Sequence, residues 1–90
     1  MPGFHATITG RVQGVGFRYF VQGRAARLGL AGFVRNLPGG GVEVQAGGGR
    51  KALESLLADL HTGPGMSRVD HVDVIWTETG DITGGFTIRH

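Results

Sequence analysis

Three features of the 90-residue sequence predict an α+β fold, an antiparallel sheet with two helices on one face. Hydrophobic spacing alternates between a period of two and a period near three and a half. Each helical stretch is bracketed by strand-like ones, and clusters of glycine mark several of the changes. Ninety residues, 40% hydrophobic and 18% charged, suffice for one small core, so a single domain over residues 1–90 with one site is expected.

The elements follow in order. Phe4, Ala6 and Ile8 alternate with His5, Thr7 and Thr9, as in a strand with one buried face. From Phe17 the apolar set Phe17, Phe20, Val21, Ala25 and Leu28 forms one helical stripe, with Gly29 placed to end it. Gly23 inside that helix costs ~1 kcal/mol against alanine, so packing must stabilise it. After Gly32, FVRN reads as a second strand, LPGGG as a turn, and VEVQA as a third strand with Val42, Val44 and Ala46 inward, making a hairpin.

RKALESLLADLH then sets Leu53, Leu56, Leu57 and Leu60 on one face of a second helix, more clearly amphipathic than the first, and TGPG stops it. VDHVDVIW alternates Val72, Val74 and Trp76 against polar positions, and GGFTIRH offers a last short strand with Phe86 and Ile88 on one side. Two strand-helix-strand halves joined by a hairpin make the split βαβ, or ferredoxin-like, arrangement. Its core is expected to draw on Ile8, Val34, Val44, Val72, Val74 and the Leu53 to Leu60 stripe. Trp76, Phe33 and Tyr19 are expected as core or edge aromatics.

Charge is divided unevenly. Residues 1–42 hold Arg11, Arg18, Arg24, Arg27 and Arg35 and no Asp or Glu, whereas the rest carries four basic and seven acidic residues. The first part should attract anions, yet a net charge of +2 does not hold a nucleic acid at cellular salt. The absence of cysteine removes disulfides, thiolate nucleophiles and cysteine-ligated zinc. The four histidines lack metal-ligand spacing and receive no role. MPGFHATITG has neither a basic n-region nor an apolar h-region, and no segment approaches the ~20 apolar residues of a membrane span, so a cytoplasmic protein without a membrane partner is expected.

One segment concentrates the chemistry. GRVQGVGFR, residues 10–18, joins the first strand to the first helix and places Arg18 in the helix's opening turn. A helix start has up to about four backbone N–H groups without intrahelical partners and a partial positive charge. Gly14 and Gly16 allow consecutive N–H groups to turn inward around an oxyanion, and the planar guanidinium of Arg18 matches phosphate oxygens. A tight connection short of space would use the same glycines. The spacing is not a Walker loop, because GK followed by Ser or Thr is missing, and a dinucleotide unit would need a parallel sheet.

GRVQGVGFR followed by LGLAGFVRN resembles the two signature segments of the acylphosphatase family, and the likeness runs on through VEV, the second helix, the GP turn, RVDHVDV and GGFTIR. The resemblance implies a ferredoxin-like hydrolase that converts an acyl phosphate to a carboxylate and inorganic phosphate with no metal or organic cofactor. It puts the phosphate-binding arginine at Arg18, the water-positioning asparagine at Asn36, and the phosphate cradle on the backbone of Gln13, Gly14, Val15, Gly16, Phe17 and Arg18. The expected partners are a small acyl phosphate as substrate and inorganic phosphate as product and competitive inhibitor, with the chain a monomer.

These residues suit that chemistry. A carboxylate leaves readily, and phosphoryl transfer depends mostly on positioning and charge stabilisation, so no acid pair is required. Asn36 ends the second strand, expected to lie beside the first, which brings it within reach of the cradle. Many members of the family carry threonine where this chain has Val21, and some where it has Leu37, departures that bear on rate more than on reaction type. The Gly39–Gly41 turn lacks the more usual acidic residue and should be loose. Two other readings use the same fold: a phosphate-sensing domain without turnover, and a single-stranded RNA-binding module, the latter disfavoured because VEVQAGG has no aromatic to stack a base.

Overall fold

The computed structural model describes residues 1–78 and 84–90. Its elements are β1 (Pro2–Arg11), α1 (Phe17–Arg27), β2 (Ala31–Asn36), β3 (Val42–Gly47), α2 (Arg50–Thr62), β4 (Arg68–Glu78) and β5 (Phe86–Arg89). They form one five-stranded sheet in the order β4-β1-β3-β2-β5. β1 and β2 flank β3 antiparallel, so β1-α1-β2 is a parallel unit split by β3. β4 runs antiparallel to β1, which makes β3-α2-β4 a second unit split by β1.

Two expectations need correction. β5 pairs with β2 in parallel, so the sheet is mixed, with its first four strands antiparallel and an added parallel edge. Nor does β2 lie beside β1. Because each crossover leaves room for one strand of the other unit, β3 separates them, and Asn36 stands two strand spacings, about 10 Å, from the line of β1.

One face of the sheet is apolar. Phe4, Ala6 and Ile8 of β1, Val34 of β2, Val42, Val44 and Ala46 of β3, and Phe86 of β5 are buried there. α1 lies over β2 and β5, α2 over β4 and β1, and the helices touch each other. Phe17, Val21 and Ala25 form the buried stripe of α1, and Leu53, Leu56 and Leu60 that of α2. Leu57 is only partly buried. α1 ends in a Schellman arrangement: the Leu30 N–H donates to Ala25 O at 3.0 Å and the Gly29 N–H to Ala26 O at 3.1 Å. That closure buries Leu30 and turns the chain into β2.

Val72 and Val74 face the helices but are only partly buried, because β4 is an edge strand at the margin of the helix layer, with α2 packed over it. Trp76 meets Phe4 edge-on with ring centroids 5.5 Å apart. Phe33 lies on the opposite face beneath the Arg89 guanidinium, 3.9 Å from its ring centroid. Tyr19 is neither core nor edge packing: it is 70% exposed. No helix among the described residues is long and apolar enough to cross a membrane.

Candidate functional site

β1 ends beside an irregularity in its pairing with β4, between Thr9 and Gly10, and the chain then leaves the sheet at the buried Val12. The connection to α1 is bent at Gly14 and Gly16, whose φ angles of 73° and 78° lie in the left-handed region. A Cβ at either position would meet nothing within 4 Å, so it is the backbone conformation, not lack of space, that favours glycine here. Gly16 is the N-cap of α1, and its carbonyl accepts the Phe20 N–H at 3.0 Å. No side chain caps this end and no acidic residue occupies the first turn, so the opening N–H groups keep their positive potential.

The start of α1 and the end of β2 meet at a cavity of about 220 Å³, lined by Val12, Gly14, Gly16, Phe17, Arg18, Tyr19 and Asn36. Asn36 shares the helix-covered face because it follows Val34 by two residues and pairs with Val42. Residues 18 positions apart in sequence thus line one small space. The Asn36 carboxamide is not engaged by a hydrogen bond among the described residues.

Of the six expected cradle residues, Gly14, Gly16, Phe17 and Arg18 line the cavity. The Val15 side chain packs partly buried against the core. Gln13 takes a different part: its Nε2 donates to Leu37 O and to Gly41 O, both at 2.8 Å, fastening the loop to the turn between β2 and β3. Three side chains at the site depart from expectation: the sequence reads Tyr19 as a core or edge aromatic, Gln13 as a backbone contributor only, and His90 as without a role. Tyr19 stands at the mouth, the Gln13 side chain forms the tether, and His90 Nδ1 accepts a hydrogen bond from Arg18 Nη1 at 3.1 Å. Tyr19 was within reach of reasoning, since it follows Arg18 directly at a helix start; the His90 contact joins residues 72 apart and left no local signal.

Electrostatically, Arg18 differs from the other arginines that have found acids. Arg35 pairs with Glu43, which also bonds His5 Nε2 at 2.6 Å. Those hydrogen bonds, from His5 first and Arg35 second, hold the Glu43 carboxyl below its ordinary range. Arg50 pairs with Glu54 at 3.3 Å, and Arg68 with Asp70 at 2.9 Å. Arg18 has no carboxylate partner among the described residues, and its charge adds to that of the helix terminus beside it.

Such a site can take a small tetrahedral anion, and related proteins point the same way. A family model described as acylphosphatase matches residues 4–88. An acylphosphatase of Salinibacter ruber is 51% identical over 84 residues, which cover 93% of this chain and 88% of that one. Another, from Thermus thermophilus, is 49% identical over 84 residues, 93% of this chain and 96% of that one. The crystal structure of acylphosphatase from Bacillus subtilis superposes with a TM-score of 0.96 at 38% identity, covering all of both chains. With the family's two signature segments converging on one cavity and the likeness extending over nearly the whole chain, this protein belongs to the acylphosphatase family, hydrolases that cleave small acyl phosphates and release phosphate.

Proposed function

We propose that Arg18 and the backbone N–H groups of residues 13–18 bind the phosphoryl group of the acyl phosphate, and that Asn36 orients the water that attacks it. The observation that carries this reading is the shared cavity: an arginine with no carboxylate partner and a carboxamide with no hydrogen bond, both among the described residues, border the same space as a helix start without a side-chain cap that is bent by two left-handed glycines. The N–H groups supply fixed dipoles and the guanidinium supplies charge where negative charge spreads over the equatorial oxygens. The Asn36 amide holds the water on its line of approach, which turns a chance encounter into an oriented one.

In the step itself the water oxygen bonds to phosphorus as the P–O bond to the acyl group breaks. The bonding pair leaves on the carboxylate, and the water's protons remain with the phosphate or pass to solvent. A carboxylate needs no proton to depart at neutral pH, so the site requires no general acid. Inorganic phosphate, which keeps the bound half of the substrate, is a competitive inhibitor in this scheme.

The test is hydrolysis of benzoyl phosphate by the purified chain in EDTA, beside Arg18→Ala and Asn36→Ala, with inorganic phosphate as competitor. Turnover without added metal, lost in Arg18→Ala together with phosphate inhibition and lowered to a residual, still measurable rate in Asn36→Ala with inhibition retained, is the expected result. Full activity in either variant removes that residue from the mechanism. Binding of phosphate without turnover in the wild type would instead favour a sensing domain.

A further inference from the structure

We infer that the Gln13 carboxamide is a positioning residue that sets the attacking water against the bound phosphoryl group. Its place in the site rests on the roles proposed above for the loop and Asn36. Pairing through Val42 fixes Asn36 against Ile8 of β1, but the loop leaves the sheet after Arg11, and no strand pairing fixes residues 12–16 against the end of β2 or the turn that follows it. Gln13 spans that gap. One nitrogen with two hydrogens donates to Leu37 O, the residue directly after Asn36, and to Gly41 O, the residue directly before β3.

Both carbonyls already serve the turn. Gly41 O accepts the Leu37 N–H at 2.8 Å, and Leu37 O accepts the Gly40 N–H at 3.1 Å. The carboxamide takes the second acceptor site of each, so it can clamp the turn without displacing the bonds that shape it. A clamp matters at this turn because residues 39–41 are all glycine and hold little conformation of their own. The side chain must be uncharged, carry two donors on one atom, and reach from the loop. Glutamate has the reach and no donor when ionised; asparagine has the donors and is one methylene short.

Positioning of this kind leaves a kinetic mark. The cradle closes on phosphate through Arg18 and the loop N–H groups, whereas the clamp governs only where Asn36 stands relative to it. Misplacement by about 1 Å costs on the order of 100-fold in rate when reacting groups must be aligned, and a loosened turn samples smaller errors. Gln13→Met, which keeps length and packing but donates nothing, should lower kcat about tenfold, with the KM for benzoyl phosphate and the inhibition constant for inorganic phosphate within about twofold of wild type.

The deciding experiment is a double-mutant cycle on benzoyl phosphate with wild type, Gln13→Met, Asn36→Ala and the double variant, repeated with Gln13→Glu. Kinetics are accompanied by phosphate inhibition and thermal unfolding. If the clamp works through Asn36, Gln13→Met costs about tenfold in the wild-type background and less than about twofold once Asn36 is gone. A phosphate inhibition constant that rises in step with the loss of kcat would show that the amide shapes the cradle, and would overturn the inference. So would an unchanged kcat, full additivity in the cycle, or failure of both Gln13 variants to fold. An Asn36→Ala enzyme with wild-type kcat would bring down the proposed role of Asn36 itself, and the positioning role with it, a result distinct from additivity beside a damaged Asn36→Ala.

Discussion

The two helix starts of this protein look alike in sequence and differ in what they can do. Each is entered through glycine, neither has a side-chain cap, and neither holds an acidic residue in its first turn. By charge alone α2 is the better anion site, because Arg50 and Lys51 open it while only Arg18 stands in the first turn of α1. Yet the chain enters α2 in an extended conformation, with Gly49 at φ −64° and ψ 139°, and its arginine is engaged by Glu54 and by the Trp76 ring, 3.8 Å from the guanidinium carbon. α1 is entered through two left-handed glycines, and Arg18 shares a cavity with a strand-end asparagine. A dipole and a nearby cation are common property of helix starts; curvature and an opposing polar group make one of them a candidate reaction site.

The largest effect should separate the two arginines. Arg18→Ala is expected to lower kcat/KM for benzoyl phosphate by about 1000-fold or more, in the range seen when an arginine that stabilises phosphoryl charge is removed. Arg50→Ala should leave kcat/KM within about twofold and cost roughly 0.5–1 kcal/mol of stability from the lost ring contact. Steady-state kinetics on both variants would break the comparison if the losses were similar.

A smaller contrast concerns the glycines. Gly16→Ala forces a side chain into the left-handed region at a cost of about 1–2 kcal/mol and should weaken phosphate inhibition as the loop relaxes. Gly49→Ala meets no steric obstacle within 4 Å and keeps an allowed φ, so it should be neutral or stabilising by up to about 1 kcal/mol. Thermal unfolding of the two variants reads this directly.

The last contrast sets Arg35, paired with Glu43, against Arg18, which has no carboxylate partner among the described residues. Glu43 titrates lower in the folded chain than in the unfolded one, so folding favours its ionised form. Its stabilisation is therefore complete above the ordinary carboxyl range and is lost as pH falls through the lowered value. Glu43→Gln should cost roughly 1 kcal/mol at pH 7, with the difference from wild type vanishing on acidification, while kcat/KM stays within about twofold. Unfolding measured across pH checks the sign. A variant whose activity fell with its stability would tie the Arg35 pair to the site.

Where a signal was local, the sequence carried it. Alternation in Phe4-Ala6-Ile8 and the Leu53-Leu56-Leu60 stripe mark β1 and α2, and the glycines before Arg18 mark the loop, because each reflects a periodicity or backbone preference within a few residues. Features set by topology were hidden. That β3 separates β1 from β2, that β5 pairs in parallel, and that β4 leaves Val72 and Val74 only partly covered all depend on strand order, which periodicity does not encode. At the site, Arg18 and Asn36 could be named from the two segments, whereas the contacts from Gln13 to Leu37 and from Arg18 to His90 span 24 and 72 residues.

The bend at Gly14 and Gly16 has a genetic corollary. Main-chain N–H groups belong to every residue type except proline, so a codon change elsewhere in the loop seldom deletes a donor; it alters only the direction in which one points. Under the proposed mechanism most of the loop's binding capacity is therefore shielded from replacement mutations. The exposure to mutation gathers instead at the two positions that hold the curve and at the one side chain, Arg18, whose charge no backbone can supply.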